Sequence, residues 1–367
     1  MTPHFLPPLS LRQERYYTLN HEFSLLSDGD LQRQLESAES SSGWGVNQTI
    51  TLAGQPVFVK RIPLTALEQA HSFDTGNHYQ LPMYYHYGVG SAGFGAYREL
   101  ITHMRTSNWV LQNKTEAFPL LFHSRIRQAS ATWRKVTPES RAQHLTYWNQ
   151  NAGIETYLTS RDQAPFEIQL FLEHIPYSWL DWFSRYPAAN LNQLMHKADD
   201  ALRFLNQQGI LHLDAHLANL LTDGENVFVS DFGLALDQRF KLAPDEQDFW
   251  QTHASYDRAQ LVSNLSHLLH SHCNALPEDK QRHLYQALAI LPETERPVRL
   301  ERLLTTLRSP IAPQIPDLPA ELKNLLLRYH ETLLSVSGFF AALHKSNAKD
   351  IPWPAPVVPD LSAMVAS

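Results

Sequence analysis

Three polar residues in the stretch GILHLDAHLANLLTDGENVFVSDFGLAL have the types and spacing that phosphoryl-transfer chemistry needs. Asp214 is followed by Asn219 five residues later and by Asp231 twelve residues after that, in the pattern HxDxxxxN…DFG. A carboxylate such as Asp214 can orient a hydroxyl and take its proton. An amide oxygen at Asn219 and a second carboxylate at Asp231 are hard oxygen ligands suited to Mg²⁺. The intervening residues say how the three meet. Leu220 to Thr222 and Val227 to Val229 are short apolar runs around Asp223-Gly224, a strong hairpin signal, and a hairpin there returns Asp231 beside Asn219.

Together, HxDxxxxN and DFG resemble the catalytic and metal-binding loops of the protein-kinase-like superfamily. The resemblance runs over about residues 40 to 275 and implies an α+β, bilobal fold with a small β-rich lobe and a larger helical lobe. It implies Mg²⁺ and ATP as cofactors, with ATP held between the lobes near Glu173 and His174. On the same grounds Lys60, in VFVKRI, corresponds to the strand lysine that ties the α- and β-phosphates. Its partner is expected to be Glu99 in AYRELITH, with Glu68 in LTALEQA as the rival. Gly43 and Gly45 stand where a glycine-rich loop would cover the phosphates, although Gln48 occupies the third glycine position. His212 is expected beneath the loop, bonded to backbone near the DFG turn. Asp257, at the start of an apolar helix, is expected to hold the backbone of the Asp214 loop. His216 matches the Asp-x-His of small-molecule kinases of the aminoglycoside and choline type, where typical protein kinases carry lysine.

These groups need elements to position them. Residues 1–39 read as an extension in which SDGDLQRQLESAE forms a helix packing on the first lobe. Residues 40–172 read as the small lobe, with insertions at about 63–95 and 128–165, the second of them helical. Within this lobe VFVKRI, FPLLFHSRI and FEIQLFLEHI are strands, and AYRELITHMRTSNWVL is a helix with Tyr97, Leu100, Ile101 and Met104 on one face. Residues 173–345 read as the helical lobe. Its first helix is capped by Asn190 and ended by Gly209, and further helices are expected at about 256–274, 278–291, 297–307 and 318–343. Residues 346–367 form a proline-rich tail expected to run extended over the surface.

Composition narrows the function classes. The net charge of −7 supplies no basic field for nucleic acid. No apolar run approaches the roughly 20 residues of a membrane span, and the N-terminal residues lack the pattern of a secretory signal. The single cysteine, Cys273, excludes an intrachain disulfide and reads as a helix-core residue. The expected location is the cytoplasm. Three departures from the family pattern bear on the acceptor. No Ala-Pro-Glu follows DFG, only 23 residues separate Gly233 from Asp257, and Leu213 replaces the arginine before the aspartate. The reading is an atypical protein serine/threonine kinase that is constitutively competent. Its alternatives are a small-molecule kinase, a catalytically silent kinase-fold binding module, and nucleotidyl transfer on the same fold.

Overall fold

The computed structural model describes residues 6–38, 40–41, 46–129, 137–309 and 314–361. It is an α+β chain in which a small antiparallel sheet precedes a larger helical portion. Two helices come first, α1 (Leu9–Leu25) and α2 (Asp28–Ser37). The α2 helix matches the sequence reading and is capped by Ser27, whose hydroxyl accepts from the Asp30 N–H. The sheet contains β1 (Ser40–Ser41), β2 (Val46–Leu52), β3 (Gln55–Leu64), β4 (Leu121–Gln128) and β5 (Phe166–Glu173) in the order β1-β2-β3-β5-β4. The β2–β3 turn runs through Ala53 and Gly54, both at positive φ. In β3, Val57 and Val59 are buried, while Lys60 emerges on the opposite face, as period-two alternation requires.

Between β3 and β4 lie the short helix α3 (Ala66–Ala70), the aromatic and glycine-rich segment through Gly95, and α4 (Ala96–Leu111). Tyr97 and Leu100 are buried as expected, but Met104 is 44% exposed. The buried face of α4 runs instead through His103, Thr106, Ser107 and Val110. This face is half polar because His103 meets the Phe232 ring of the DFG turn and the Ser107 hydroxyl accepts the Leu121 N–H at 2.6 Å, and period alone ranks methionine above histidine for burial. The insertion before β5 is helical, forming α5 (Pro138–Tyr147) and α6 (Ala152–Asp162).

The rest is helical with short ribbons. It comprises β6 (Tyr177–Ser178), α7 (Trp179–Arg185), α8 (Leu191–Gln207), β7 (Ile210–Leu211), β8 (Leu220–Thr222), β9 (Val227–Val229) and β10 (Leu236–Asp237). These are followed by α9 (Pro244–Thr252), α10 (Tyr256–Ala275), α11 (Glu278–Ala287), α12 (Arg296–Arg308), α13 (Ala320–Arg328) and α14 (His330–Lys345). The α8 stripe from Leu191 to Leu205 and Cys273 in α10 join one hydrophobic core. Asn190 precedes α8 but does not cap it. It sits at φ 55°, and its amide donates to the Gly224 carbonyl at 2.8 Å, so it ties the helix start to the β8–β9 turn. The helix expected over 318–343 is broken at Tyr329 into α13 and α14. The last described residues form neither helix nor strand, and the segment is not wholly superficial, because Trp353 is buried against Tyr256 and Phe339. No helix among the described residues is long and apolar enough to cross a membrane.

Candidate active site

The β3 strand delivers Lys60 to two carboxylates at once. Its Nζ lies 2.6 Å from Glu99 Oε1 and 2.7 Å from Asp231 Oδ1. Burial alone would lower the ammonium's pKa, but Asp231 and Glu99 outweigh it and hold Lys60 above the ordinary lysine value. Burial likewise works against Asp231, yet Lys60 brings that carboxyl down to about 2. Glu99 is the more deeply enclosed partner, and burial raises its pKa. His103, one turn along α4 with Nε2 4.0 Å from Glu99, is pushed down to about 3 by burial and by Lys60, so it stays neutral.

Glu68 has a different task. It completes a capping box with Thr65 at the start of α3, and its Oε1 accepts the Ala96 N–H at 2.8 Å. One carboxylate therefore fastens two helix starts, and the second of these carries Glu99. Gly95 makes this approach possible. It has φ 127°, and a Cβ there would lie 3.3 Å from Glu68 Oε1. The 39-residue spacing from Lys60 to Glu99 is thus spanned by an insertion that pins α4 at its N-terminus.

The loop carrying Asp214 is held from α10. Both Asp257 carboxylate oxygens accept backbone N–H groups at 2.8 Å, one from His212 and one from Leu213. Leu213 sits at φ 64°, a left-handed conformation disfavoured for leucine that these bonds sustain. Gln260 Oε1 accepts the Ala215 N–H at 2.7 Å, and the Asn264 amide donates to the Ala215 carbonyl at 3.0 Å. Gln260 and Asn264 escape sequence reasoning. Their signal is present as polar residues three and seven positions after Asp257, on the face of an otherwise apolar helix.

His212 lies where expected. Its Nδ1 accepts the Asp214 N–H at 3.1 Å and its Nε2 lies 2.9 Å from the Ser230 carbonyl, so Nε2 carries the proton. The β8–β9 hairpin closes the constellation, with the Ser230 N–H donating to the Asn219 carbonyl at 3.1 Å. The Asn219 amide donates to the Asp214 backbone carbonyl at 3.0 Å and to its Oδ2 at 2.9 Å. This orientation leaves Asn219 Oδ1 without a protein partner among the described residues, and Asp231 Oδ2 is likewise unengaged. Both residues line one cleft, and an amide oxygen and a carboxylate oxygen are the ligand types that a hard divalent cation takes. Burial, reinforced by Asp231, pushes the Asp214 carboxyl up to about 8. His216 is half-exposed, with Nε2 3.5 Å from Asp214 Oδ1, and burial lowers its pKa.

A cleft of about 650 Å³ opens between the sheet and the Asp214 loop, lined by Phe58, Lys60, Leu172, His174, Asn219 and Asp231 among others. Glu173 borders it, but its side chain does not serve as a ligand there. Arg12, from α1, binds that carboxylate at 2.8 Å through Nη2 and at 3.0 Å through Nε, with both side chains buried. The same guanidinium donates to the Glu116 and Phe118 carbonyls at 3.0 and 2.8 Å. The N-terminal extension is therefore a brace behind the cleft, a role that composition and period do not announce. Gly43 and Gly45 lie outside the described residues.

The DFG turn is fixed from the 63–95 insertion. The Phe94 N–H donates to the Gly233 carbonyl at 3.1 Å, and His86 Nδ1 lies 3.1 Å from the Leu234 carbonyl. Buried Arg98 pairs with Glu246 of α9 at 2.7 Å, and Arg105 pairs with Asp237. These contacts tie α4 to the segment after DFG without any modified residue. Arg161, from α6, also escapes sequence reasoning. It opens onto a small cavity shared with Lys60, Asp214 and Asp231, and its guanidinium donates to the Tyr157 hydroxyl at 3.1 Å. No family model matches this chain, and no curated protein matches it in sequence.

Proposed function

We propose that this protein is an ATP- and Mg²⁺-dependent phosphotransferase of the protein-kinase-like kind, moving the γ-phosphoryl group to a hydroxyl. The observation that carries this reading is the junction at Lys60, which bridges Glu99 and Asp231 while Asn219 locks Asp214 beside them. A silent binding module has no physical need to sustain a buried lysine between two carboxylates next to a third whose charge is desolvated. The strand order β1-β2-β3-β5-β4 with α4 behind it, and the anchoring of the loop by Asp257, support the two-lobed reading.

In this scheme Lys60 meets the nucleotide's phosphates, and Asn219 and Asp231 would hold Mg²⁺, whose charge would offset that of the transferring phosphoryl group. The acceptor oxygen forms its bond to the γ-phosphorus as the β–γ bridging bond breaks and ADP leaves. The acceptor's proton passes to Asp214 in its ionised form, which a divalent cation bound beside it would favour over the proton-holding form of the metal-free chain. Arg161, which shares a small cavity with Lys60, Asp214 and Asp231, is a further cation available to the phosphoryl oxygens. The segment after DFG is short and pinned by Arg98 and Arg105, which leaves it little reach as a platform for a protein acceptor.

The test uses purified protein with Mg²⁺ and ATP labelled separately at the γ and α positions, alongside Asp231→Ala, with protein and small-hydroxyl acceptors added. Transfer of γ-label that is lost in Asp231→Ala is the expected result. Transfer of α-label would show nucleotidyl chemistry instead. If no label moves and Mg²⁺-ATP leaves thermal stability unchanged, the enzyme reading is wrong.

A further inference from the structure

A second cavity of about 340 Å³ lies on the other side of Asp214, between α10, α12, α14 and the segment around Gly88. It shares Asp214 and His216 with the larger cleft, so a molecule filling it meets the proposed phosphoryl donor at that carboxylate. Its volume falls at the low end of the range for small-molecule sites, roughly 300–1,000 Å³.

The segment around Gly88 brings backbone directly against Asp214. Gly88 has φ 72°, and a Cβ there would lie 2.9 Å from Asp214 Oδ1. The neighbouring Tyr87 is buried against Phe339 of α14, and its hydroxyl is 2.9 Å from His253 Nε2. This anchored wall stands beside the catalytic carboxylate, where an extended polypeptide would need open space.

The cavity also has a length and a polarity. Gln260 of α10 touches the Asp214 loop, and His267 and His270 lie seven and ten residues further along the same helix. At about 1.5 Å per residue, they stand roughly 10 and 15 Å from the reacting end. The middle is apolar, formed by Leu300, Leu333, Val336 and Phe340. The far end collects His267, His270, His344 and Arg296. Arg296 makes no ion pair or hydrogen bond among the described residues, and it opens α12, whose N-terminal dipole adds positive potential. Glu295, the adjacent carboxylate, is occupied by Lys345 at 2.7 Å. Burial first, and Arg296 next, lower the pKa of His267 and His270, which marks a desolvated and positive environment. Asp214 is the sole carboxylate among the described residues that line the cavity.

We infer that this cavity is the acceptor site, and that it takes a small amphipathic alcohol. The hydroxyl would lie at Asp214, the apolar body against α14, and a carboxylate or phosphate at Arg296 and the α10 histidines. The inference rests on the phosphotransferase reading above and adds the acceptor's class to it. A cationic acceptor would be repelled at the far end, and a neutral one would leave Arg296 unused.

Three probes of equal length test it on the full chain: ω-hydroxydecanoate, decanediol and ω-aminodecanol. The first arm measures binding by calorimetry without nucleotide. ω-Hydroxydecanoate should bind at least about tenfold more tightly than the other two, the scale of one charge-assisted contact. Arg296→Ala should erase that ratio and Arg296→Lys should restore part of it. Val336→Trp, which fills the apolar middle, should weaken binding of all three. Equal binding of the three probes, no binding of any, or a preference that survives Arg296→Ala overturns the assignment. The second arm adds Mg²⁺ and γ-labelled ATP, and the label should appear on the ω-hydroxyl. Selective binding without transfer, in protein that does hydrolyse ATP, overturns the acceptor role. Selective binding in protein that uses no ATP at all overturns the phosphotransferase reading and the acceptor role with it.

Discussion

The substitution Asp214→Asn should stabilise this protein while sharply lowering the proposed phosphoryl transfer, and the two effects have one cause. In the folded, metal-free chain the Asp214 carboxyl is pushed up to about 8 from 3.8, chiefly by burial and then by Asp231. A carboxyl with a raised folded pKa binds its proton more tightly in the native state. Its contribution to stability is therefore complete below the unfolded value near 4 and is lost as pH rises toward 8. At pH 7 the native state holds the proton and the unfolded chain does not, a gap of about three pH units. At roughly 1.4 kcal/mol per unit the cost is about 4 kcal/mol as an upper bound. The side chain keeps 18% exposure, so about 2 kcal/mol is the working figure after solvent relaxation. The asparagine side chain retains an oxygen for the Asn219 amide and carries no charge to desolvate. Urea unfolding of both proteins with chelator present, at several values between pH 4 and 8, should show nearly equal stability at the acid end. The variant should gain steadily above that, by about 2 kcal/mol near neutrality. Phosphoryl transfer with Mg²⁺-ATP should fall by about 10²–10⁴-fold, as expected on losing a general base. A variant that is destabilised at every pH, or whose advantage does not grow with pH, would refute the account of Asp214 as a desolvated carboxylate.

The remaining expectations concern the parts around it. Glu99→Gln should lower kcat/KM for ATP by about 10²-fold through a mispositioned Lys60, whereas Glu68→Gln should chiefly cost about 1 kcal/mol of stability through lost helix caps; steady-state kinetics and urea unfolding separate the two. Arg12→Met strands the buried Glu173 carboxylate and should cost about 3–5 kcal/mol, with much of the loss recovered in Arg12→Met/Glu173→Leu; unfolding of the two variants measures this. Gly93→Ala places a Cβ 2.8 Å from the Gly233 carbonyl at φ 90° and should cost about 2 kcal/mol or more, visible in thermal unfolding and as reduced transfer. Burial holds His253 down at about 4, so its neutral form contributes stability that is present above pH 6.5 and lost as pH falls toward 4. The loss should reach up to about 3 kcal/mol and be absent in His253→Gln, as read by urea unfolding across that range.

Much of the site is legible in the sequence because its residues are coupled through short segments. Asp214, Asn219 and Asp231 sit on one loop and one hairpin, so turn chemistry at Asp223-Gly224 suffices to bring them together. Asp257 is legible from its place at a helix start, and its two backbone bonds to His212 and Leu213 follow. Glu99 is separable from Glu68 because only its helix has a buried face leading to the next strand. Inferences that use period without knowledge of the partner surface fail. Period puts Met104 on the buried face, which runs instead through His103, Thr106, Ser107 and Val110, since α4 packs on the DFG turn as well as on apolar elements. Asparagine's preference for helix starts makes Asn190 a cap, but the nearby Gly224 carbonyl competes for its amide.

The sequence by itself determined the α+β composition, most of the helices, and the identity of the groups around the DFG turn, because each depends on local period or spacing. Tertiary structure alone decided the rest. Arg12 reaches Glu173 across 161 positions, and Gly88 meets Asp214 across more than a hundred. The cavity beyond Asp214 is walled by three helices and an insertion that no short-range pattern connects. Contacts of that separation leave no periodic trace, since nothing in the local backbone requires them. They exist because burying an ion pair, a bare glycine or an apolar wall lowers the free energy only once the whole chain is folded.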